Sequence, residues 1–183
     1  MYRGSNPTAR QSQKLIVEAL FELMDRKEFS KISVKELCAE AMVSRQTFYS
    51  LFACKEEVIE LELDTHFERY LEQFKSRRTE PTLKGLCKSI IIYLFEQKKT
   101  IELIVRQHLE SLLTKKIEQY LSELNRLFYR GQQDNPDYAI AFWAGALMGI
   151  ISLAVKNNDF ENVEKLSDLI EKIATGQYFK PSA

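Results

Sequence analysis

The sequence predicts an all-α protein of about nine helices, and three observations carry that reading. Glycine and proline are scarce, six and four in 183 residues, so few positions force a break. Apolar residues recur at three- and four-residue spacing, and no segment alternates apolar with polar as a half-buried strand does. Leu, Glu, Lys and Ile, which helices accommodate at little cost, are abundant. With 45% hydrophobic and 11% aromatic residues the chain can build a packed core, which excludes global disorder.

Taken in order, residues 1–9 read as a loose arm. From Arg10 to Arg26, Leu15, Ile16, Ala19, Leu20, Leu23 and Met24 share one helical face. "KEFSKI" (27–32) reads as a loop. Ser33 and Glu36 have capping-box spacing and open a helix of two turns, buried through Val34, Leu37, Cys38 and Ala41. Ser44 caps the next, Arg45 to Leu51, with Phe48, Leu51 and Phe52 inward. Lys55 starts a longer pattern through Val58, Ile59, Leu63, Phe67, Tyr70 and Phe74, with Glu56 and Glu57 suited to its first turn. The segment 76–82 breaks it. Helical patterns follow over 83–97, 100–107 and 109–130. "GQQDNPD" (131–137) stops the chain, Asp134 or Asn135 caps the next helix, and Pro136 suits its first turn. That helix runs to about Lys156, and 160–174 forms the last.

The net charge is zero, yet residues 1–55 carry nine Lys/Arg against six Asp/Glu and the remainder 17 against 20. A mildly basic N-terminal segment therefore precedes an acidic one. The three cysteines, Cys38, Cys54 and Cys87, form no Cys-x-x-Cys pair, and the first apolar run is interrupted by Glu18 and Glu22. Idle thiols in a reducing, cytoplasmic compartment are expected. Residues 139–155 form an uncharged run of 17, short of the ~20 a membrane span needs and without a basic flank at its start. A packed helix is expected there, not a span.

The stretch "AEAMVSRQTFYSLF" (39–52) places two short helices either side of a three-residue turn, the layout of a helix-turn-helix. The second helix has a stiff apolar backing in Val43, Phe48, Leu51 and Phe52. Its outer face carries Arg45, Gln46, Thr47 and Tyr49, donors suited to phosphates and base edges. Singly, each of these is an ordinary solvated side chain; the reading rests on the constellation.

"ISVKELCAEAMVSRQTFYSLFACKEEVI" (32–59), above all the Ser-Arg-x-Thr-Phe-Tyr…Phe-x-x-Lys string from Ser44 to Lys55, resembles the tetracycline-repressor (TetR) family of transcription regulators. The resemblance covers about the first third of the chain. It implies a helix-turn-helix DNA-binding domain over 1–57 with its reading motif at 33–52, and a helical ligand-binding and dimerisation domain over 58–183. It further implies a homodimer on a near-palindromic double-stranded DNA operator, a small-molecule effector, and action as a repressor. Carried over, Ser33 and Val34 approach the DNA backbone, Ser44, Thr47, Tyr49 and Lys55 contact phosphates, and Arg45 and Gln46 read bases. Two positions depart from the family pattern. Met42 stands where Gly is usual, with its side chain available to pack under the turn, and Cys54 stands where a capping residue would serve better.

In the second part of the chain, Phe67, Tyr70, Phe74 and Trp143 are expected to line a ligand pocket, with Arg106 and His108 as polar anchors. Ala141, Gly145 and Gly149, spaced by four, form a flat stripe for close helix approach. Together with Val163, Leu166, Leu169, Ile170 and Ile173 of the last helix they are expected at a four-helix dimer seam. No catalytic arrangement, phosphate loop or metal-ligand spacing is present, so no enzyme activity, cofactor or metal is expected. Two rival readings dispense with DNA: a small helical ligand carrier or enzyme, and a protein–protein adaptor.

Overall fold

The computed structural model describes residues 1–2, 4, 6–76, 83–128, 134–158 and 163–179. Within them the chain forms α1 (Pro7–Arg26), a 3-10 turn (Phe29–Lys31), α2 (Val34–Glu40), α3 (Arg45–Leu51), α4 (Glu56–Lys75), α5 (Leu83–Glu96), α6 (Lys98–Arg106), α7 (Glu110–Phe128), α8 (Pro136–Asn157) and α9 (Val163–Ala174). The protein is all-α, with no strand among the described residues. The predicted break at 76–82, the start of the 131–137 stop and the start of the last helix at 160 lie largely outside them.

The arm is more ordered than its composition suggests. Asn6 caps α1 by accepting from the Thr8 amide at 2.9 Å, and Pro7 supplies a preset φ at the first helical position. Ahead of it, the Tyr2 amide donates to the Leu51 carbonyl at 2.7 Å, and buried Gln13 donates to the Tyr2 carbonyl at 2.9 Å. The arm thus satisfies an orphan carbonyl at the end of α3.

The first three helices pack around Ile16, Leu20 and Met24 of α1, Leu37 of α2, and Phe48 and Phe52, each no more than 1% exposed. That core is continuous with the later helices, taking in Ile59 of α4, Ile91 of α5, Ile104 of α6 and Ile151 of α8. A second, smaller cluster joins Phe67, Tyr70, Leu71 and Phe74 of α4 to Leu124 of α7. Further along, α5 packs on α9 and α7 on α8.

"KEFSKI" is not an open loop. Phe29 is buried, and the Lys31 and Ile32 amides close onto Glu28 and Phe29 at 2.9 and 3.1 Å. A buried aromatic converts what reads as a polar connection into a fixed corner.

The α2–α3 turn is a Schellman motif. The Val43 amide donates back to Cys38 at 2.9 Å and the Met42 amide to Ala39 at 3.2 Å, with Met42 left-handed at φ 53°. The Met42 side chain is 86% exposed, so it does not pack under the turn as its flexibility suggested. The same motif ends α6: the Leu109 amide reaches Ile104 and the His108 amide reaches Val105, both at 3.1 Å, with His108 at φ 58°.

A buried charge joins α4 to α7. Lys116, 5% exposed, donates to both Asp64 oxygens at 2.9 and 3.0 Å, with Glu60 at 3.7 Å. The Tyr120 hydroxyl donates to Asp64 at 3.1 Å, and its ring stacks on Phe67 at 3.8 Å between centroids. Burial and then Asp64 push the Tyr93 and Tyr120 phenols up, so both stay neutral.

Two outcomes follow from these local geometries. Met42→Gly relieves the left-handed backbone at the loss of an exposed side chain and should stabilise the protein by about 1 kcal/mol; its urea midpoint should rise, and a fall would show that the Met side chain packs. Asp64→Asn leaves Lys116 buried without its main partner and should cost roughly 3 kcal/mol, whereas Asp64→Leu with Lys116→Met should recover most of that loss in the same denaturation assay.

Candidate nucleic-acid interface

The site is α3 with the start of α2. The Ser44 hydroxyl accepts from the Thr47 amide at 2.9 Å and lies 2.8 Å from the Thr47 hydroxyl. Whichever of the two donates, one O–H of the pair remains for an outside acceptor such as a phosphate oxygen. Phe48 and Leu51 fix the inner face. The Tyr49 ring stands edge-on to Phe48 at 5.3 Å and is 59% exposed. Arg45 and Gln46 are exposed and make no hydrogen bond or ion pair with the described residues.

Ser33 is exposed and caps α2 by accepting from the Glu36 amide at 3.2 Å, with Val34 half-buried beside it. The Glu36 carboxylate does not reach back as a capping box would. Instead it accepts from Lys27 at 2.6 and 2.8 Å, and that bond holds its carboxyl below the usual range. Arg26 pairs with Glu40 alongside. Two ion pairs therefore run from the end of α1 to α2.

Lys55 departs from the expectation of a phosphate contact. Its amine is turned inward, donating to the Phe29 carbonyl and, at 3.0 Å, to the Ile32 carbonyl, and it lies 4.1 Å over the Phe29 ring. The Phe29 carbonyl takes this amine as a second donor beside the Ile32 amide, and the aromatic face adds attraction for a cation. Burial pulls the amine's pKa down. Cys54 is exposed with the Glu57 and Glu56 amides of the first turn of α4 directed at its sulfur, and the Ala53 amide is satisfied by the Glu57 carboxylate at 2.8 Å.

The residues expected at a ligand pocket separate into two groups. Phe67, Tyr70 and Phe74 come together, with Tyr93 and Tyr120 packed against them and the Tyr70 hydroxyl 2.9 Å from that of Ser89. Trp143 belongs to the larger cluster instead. Arg106 is 69% exposed, with Glu102 of its own helix 4.0 Å away, and His108 is exposed in the turn, so neither joins the aromatic group. A surface cleft of about 610 Å³ lies elsewhere, between α7 and α8, lined by Glu118, Glu123, Arg126 and Asp137 among others. Asp64, Lys116 and Gln107, all partnered in the interior, carry no local sequence signal that distinguishes them from surface polar residues.

On α8, Ala141, Gly145 and Gly149 are exposed, and the stripe they begin extends through Tyr138, Phe142 and Leu153, which are 79%, 65% and 58% exposed. The opposite face, Ala144, Leu147, Ile151 and Ala154, is buried. On α9, Ile173 and Leu169 point outward, whereas Ile170 is 5% exposed and Leu166 half-buried. Those two are spent within the chain, since α9 needs an inner face to pack on α5. By length and composition α8 could cross a membrane, with mean hydropathy 2.0 over its most apolar window.

Residues 16–61 match the family model described as bacterial regulatory proteins, tetR family. Comparison with curated proteins gives no match. Among solved structures the chain is similar to Lin0861 from Listeria innocua, with TM-score 0.83 and 16% identity over 98% of this chain and 97% of that one. It is also similar to the dihydroxyacetone kinase operon activator DhaS, with TM-score 0.56 and 20% identity over 91% and 95%. The fatty acid degradation regulator FadR from Bacillus halodurans gives TM-score 0.56 and 17% identity over 91% and 96%. At these identities the structures share the fold, and the matched segment contains every element of the helix-turn-helix described above. Residues 16–61 are thus the part of the chain that is similar to the tetR family of bacterial regulatory proteins.

Proposed function

We propose that the protein is a dimeric, sequence-specific DNA-binding transcription regulator that acts as a ligand-responsive repressor. Residues 1–57 form its DNA-binding part and 58–183 its ligand-binding and dimerisation part. The observation that carries the reading is a pair of exposed side chains, Arg45 and Gln46, without partners among the described residues, on a capped helix whose other face is buried, within the segment that matches a regulatory family. Arg and Gln present bidentate donors to guanine and adenine edges. Ser33, Val34, Ser44, Thr47 and Tyr49 lie around them as backbone contacts. Lys55 acts from behind, holding the corner at Phe29 rather than touching phosphate.

The exposed apolar stripe of α8 supports the dimer. Monomeric proteins rarely leave so many contiguous large apolar side chains in water. One buried face and one flat, Gly-bearing exposed face suit a helix seam with a second copy. The aromatic group on α4 and α7 is the place for an effector, beside the Lys116–Asp64 pair. An effector with different affinity for two arrangements of α4 against α7 would change operator occupancy.

The DNA reading is tested by selecting double-stranded sequences from a random pool and measuring affinity at several salt concentrations. Arg45→Ala with Gln46→Ala should cost roughly 1–3 kcal/mol per lost base contact on the selected sequence and leave the salt dependence nearly unchanged. Equal affinity for selected and random DNA would remove the regulator reading. The dimer is tested at Gly149, where an added Cβ meets nothing within 4 Å in the protomer. Gly149→Leu should keep the helical content and yield a monomer by sedimentation, while a variant that stays dimeric places the seam elsewhere.

A further inference from the structure

We propose that Gln107 is the positioning residue that fixes the angle of the DNA-reading helices against the rest of the protein, and so sets the spacing between the two heads of the dimer. The inference rests on the dimeric reading above.

Gln107 sits at the C-terminal end of α6, about eighty positions along the chain from its partners. Its carboxamide is fully engaged at the corner between α1 and α2. The Nε2 group donates to the Met24 carbonyl and, at 3.1 Å, to the Lys27 carbonyl, while Oε1 accepts from the Phe29 amide at 2.7 Å. Met24 lies in the last turn of α1, whose carbonyls have no intrahelical donor. A side chain from another part of the chain thus caps α1. The Schellman turn around left-handed His108 holds Gln107 in place, since its two amide bonds fix the end of α6.

The corner is gripped from its other side by Lys55 at the head of α4, which takes the carbonyl of Phe29, the residue whose amide Gln107 takes. Phe29 therefore links the α6–α7 turn to the start of α4 through its own peptide groups. Further along, Asp64 of α4 is bound to Lys116 and Tyr120 of α7. The path α4, Lys55, Phe29, Gln107, α7, Lys116, Asp64 and back to α4 closes on itself. A closed ring of this kind resists rotation of α1–α3, because turning them must break one of its joints. Arg26 and Lys27 extend the grip to α2 through Glu40 and Glu36. Opening the Gln107 joint leaves α3 folded and free to bind a half-site, but no longer at one fixed distance from its partner.

The test uses the full chain and an operator selected from random DNA, with derivatives that carry one base pair more or fewer between half-sites and one that keeps a single half-site. A base pair displaced from its contacts costs roughly tenfold, so the wild type should lose about that factor or more on each respaced operator. Gln107→Met, of similar length with no polar group, should lose far less on respacing and keep the wild-type affinity for the single half-site. Gln107→Glu, which keeps the acceptor for the Phe29 amide but lacks both donors, should behave in the same way and serves if Gln107→Met does not fold. Leu124→Ala, which thins the second cluster away from the corner, controls for lowered stability. Wild-type spacing discrimination in both Gln107 variants overturns the proposal, as does parallel loss on the single half-site or equal loss of discrimination in Leu124→Ala. Selected DNA without paired half-sites overturns the dimeric reading itself, and the proposal falls with it.

Discussion

A seven-residue helix does not hold its shape alone in water, because the few hydrogen bonds it makes do not offset the cost of nucleating it. Everything on the exposed face of α3 therefore depends on the burial of Phe48, Leu51 and Phe52 beneath it. Phe48 and Phe52 stack in tilted fashion at 5.7 Å and lie in one cluster with Ile16, Leu20 and Leu37. Ser44 at one end and the Tyr2 amide at the other satisfy groups that would otherwise fray. With its inner half fixed in this way, the helix can leave Arg45 and Gln46 unpartnered without losing order, and an unpartnered donor is what recognition of a base edge requires.

The same dependence recurs one level up. The three N-terminal helices do not close their own core, since the cluster that holds Phe48 also holds Ile91, Ile104 and Ile151. Apolar packing of that kind fixes distance well and rotation poorly, because dispersion contacts are non-directional. Direction comes from the polar joints at the corner around Phe29 and from the Lys116–Asp64 pair. A buried ion pair is weak evidence of stability, and its worth here lies in register: it favours one arrangement of α4 against α7 over its neighbours, which an aromatic cluster alone does less sharply.

The parts of the fold that are local in the chain were legible in the sequence. Ser33 and Ser44 cap the helices that their spacing announced, and the apolar register of α3 matched its buried face, because both depend on residues within one turn. The turn at Met42 was legible for the same reason, while its left-handed backbone and the fate of its side chain were not. Lys116 follows Lys115 in a run that reads as a solvated face, and only α4 arriving opposite makes one of them buried. Gln107 and the inward turn of Lys55 were hidden likewise, as their partners lie far off in sequence. On α9 the apolar residues at 166, 169, 170 and 173 could be divided between two faces only once α5 had claimed one of them.

Hydropathy alone does not distinguish the α8 stripe from a membrane segment, but α8 joins a core: Ala144, Leu147, Ile151 and Ala154 pack against the rest of the chain, while Tyr138, Phe142 and Leu153 stand exposed on the other side. Between these aromatic and aliphatic side chains stand Gly145 and Gly149, with open space where a Cβ would be. Large side chains flanking small ones give a surface into which an identical helix can interlock, and close backbone approach makes such a seam stiff. That stiffness matters only if it reaches the DNA. In the proposed dimer it passes from the seam through α8 to α7, and reaches the corner after α1 by two joints, Lys55 from α4 and the Gln107 carboxamide from the end of α6. The packed layers along this route can shift by small steps without losing contact, whereas the three hydrogen bonds of Gln107 share one carboxamide, so that turning it strains all three. The most abrupt joint in the chain therefore lies next to the helices whose position it decides.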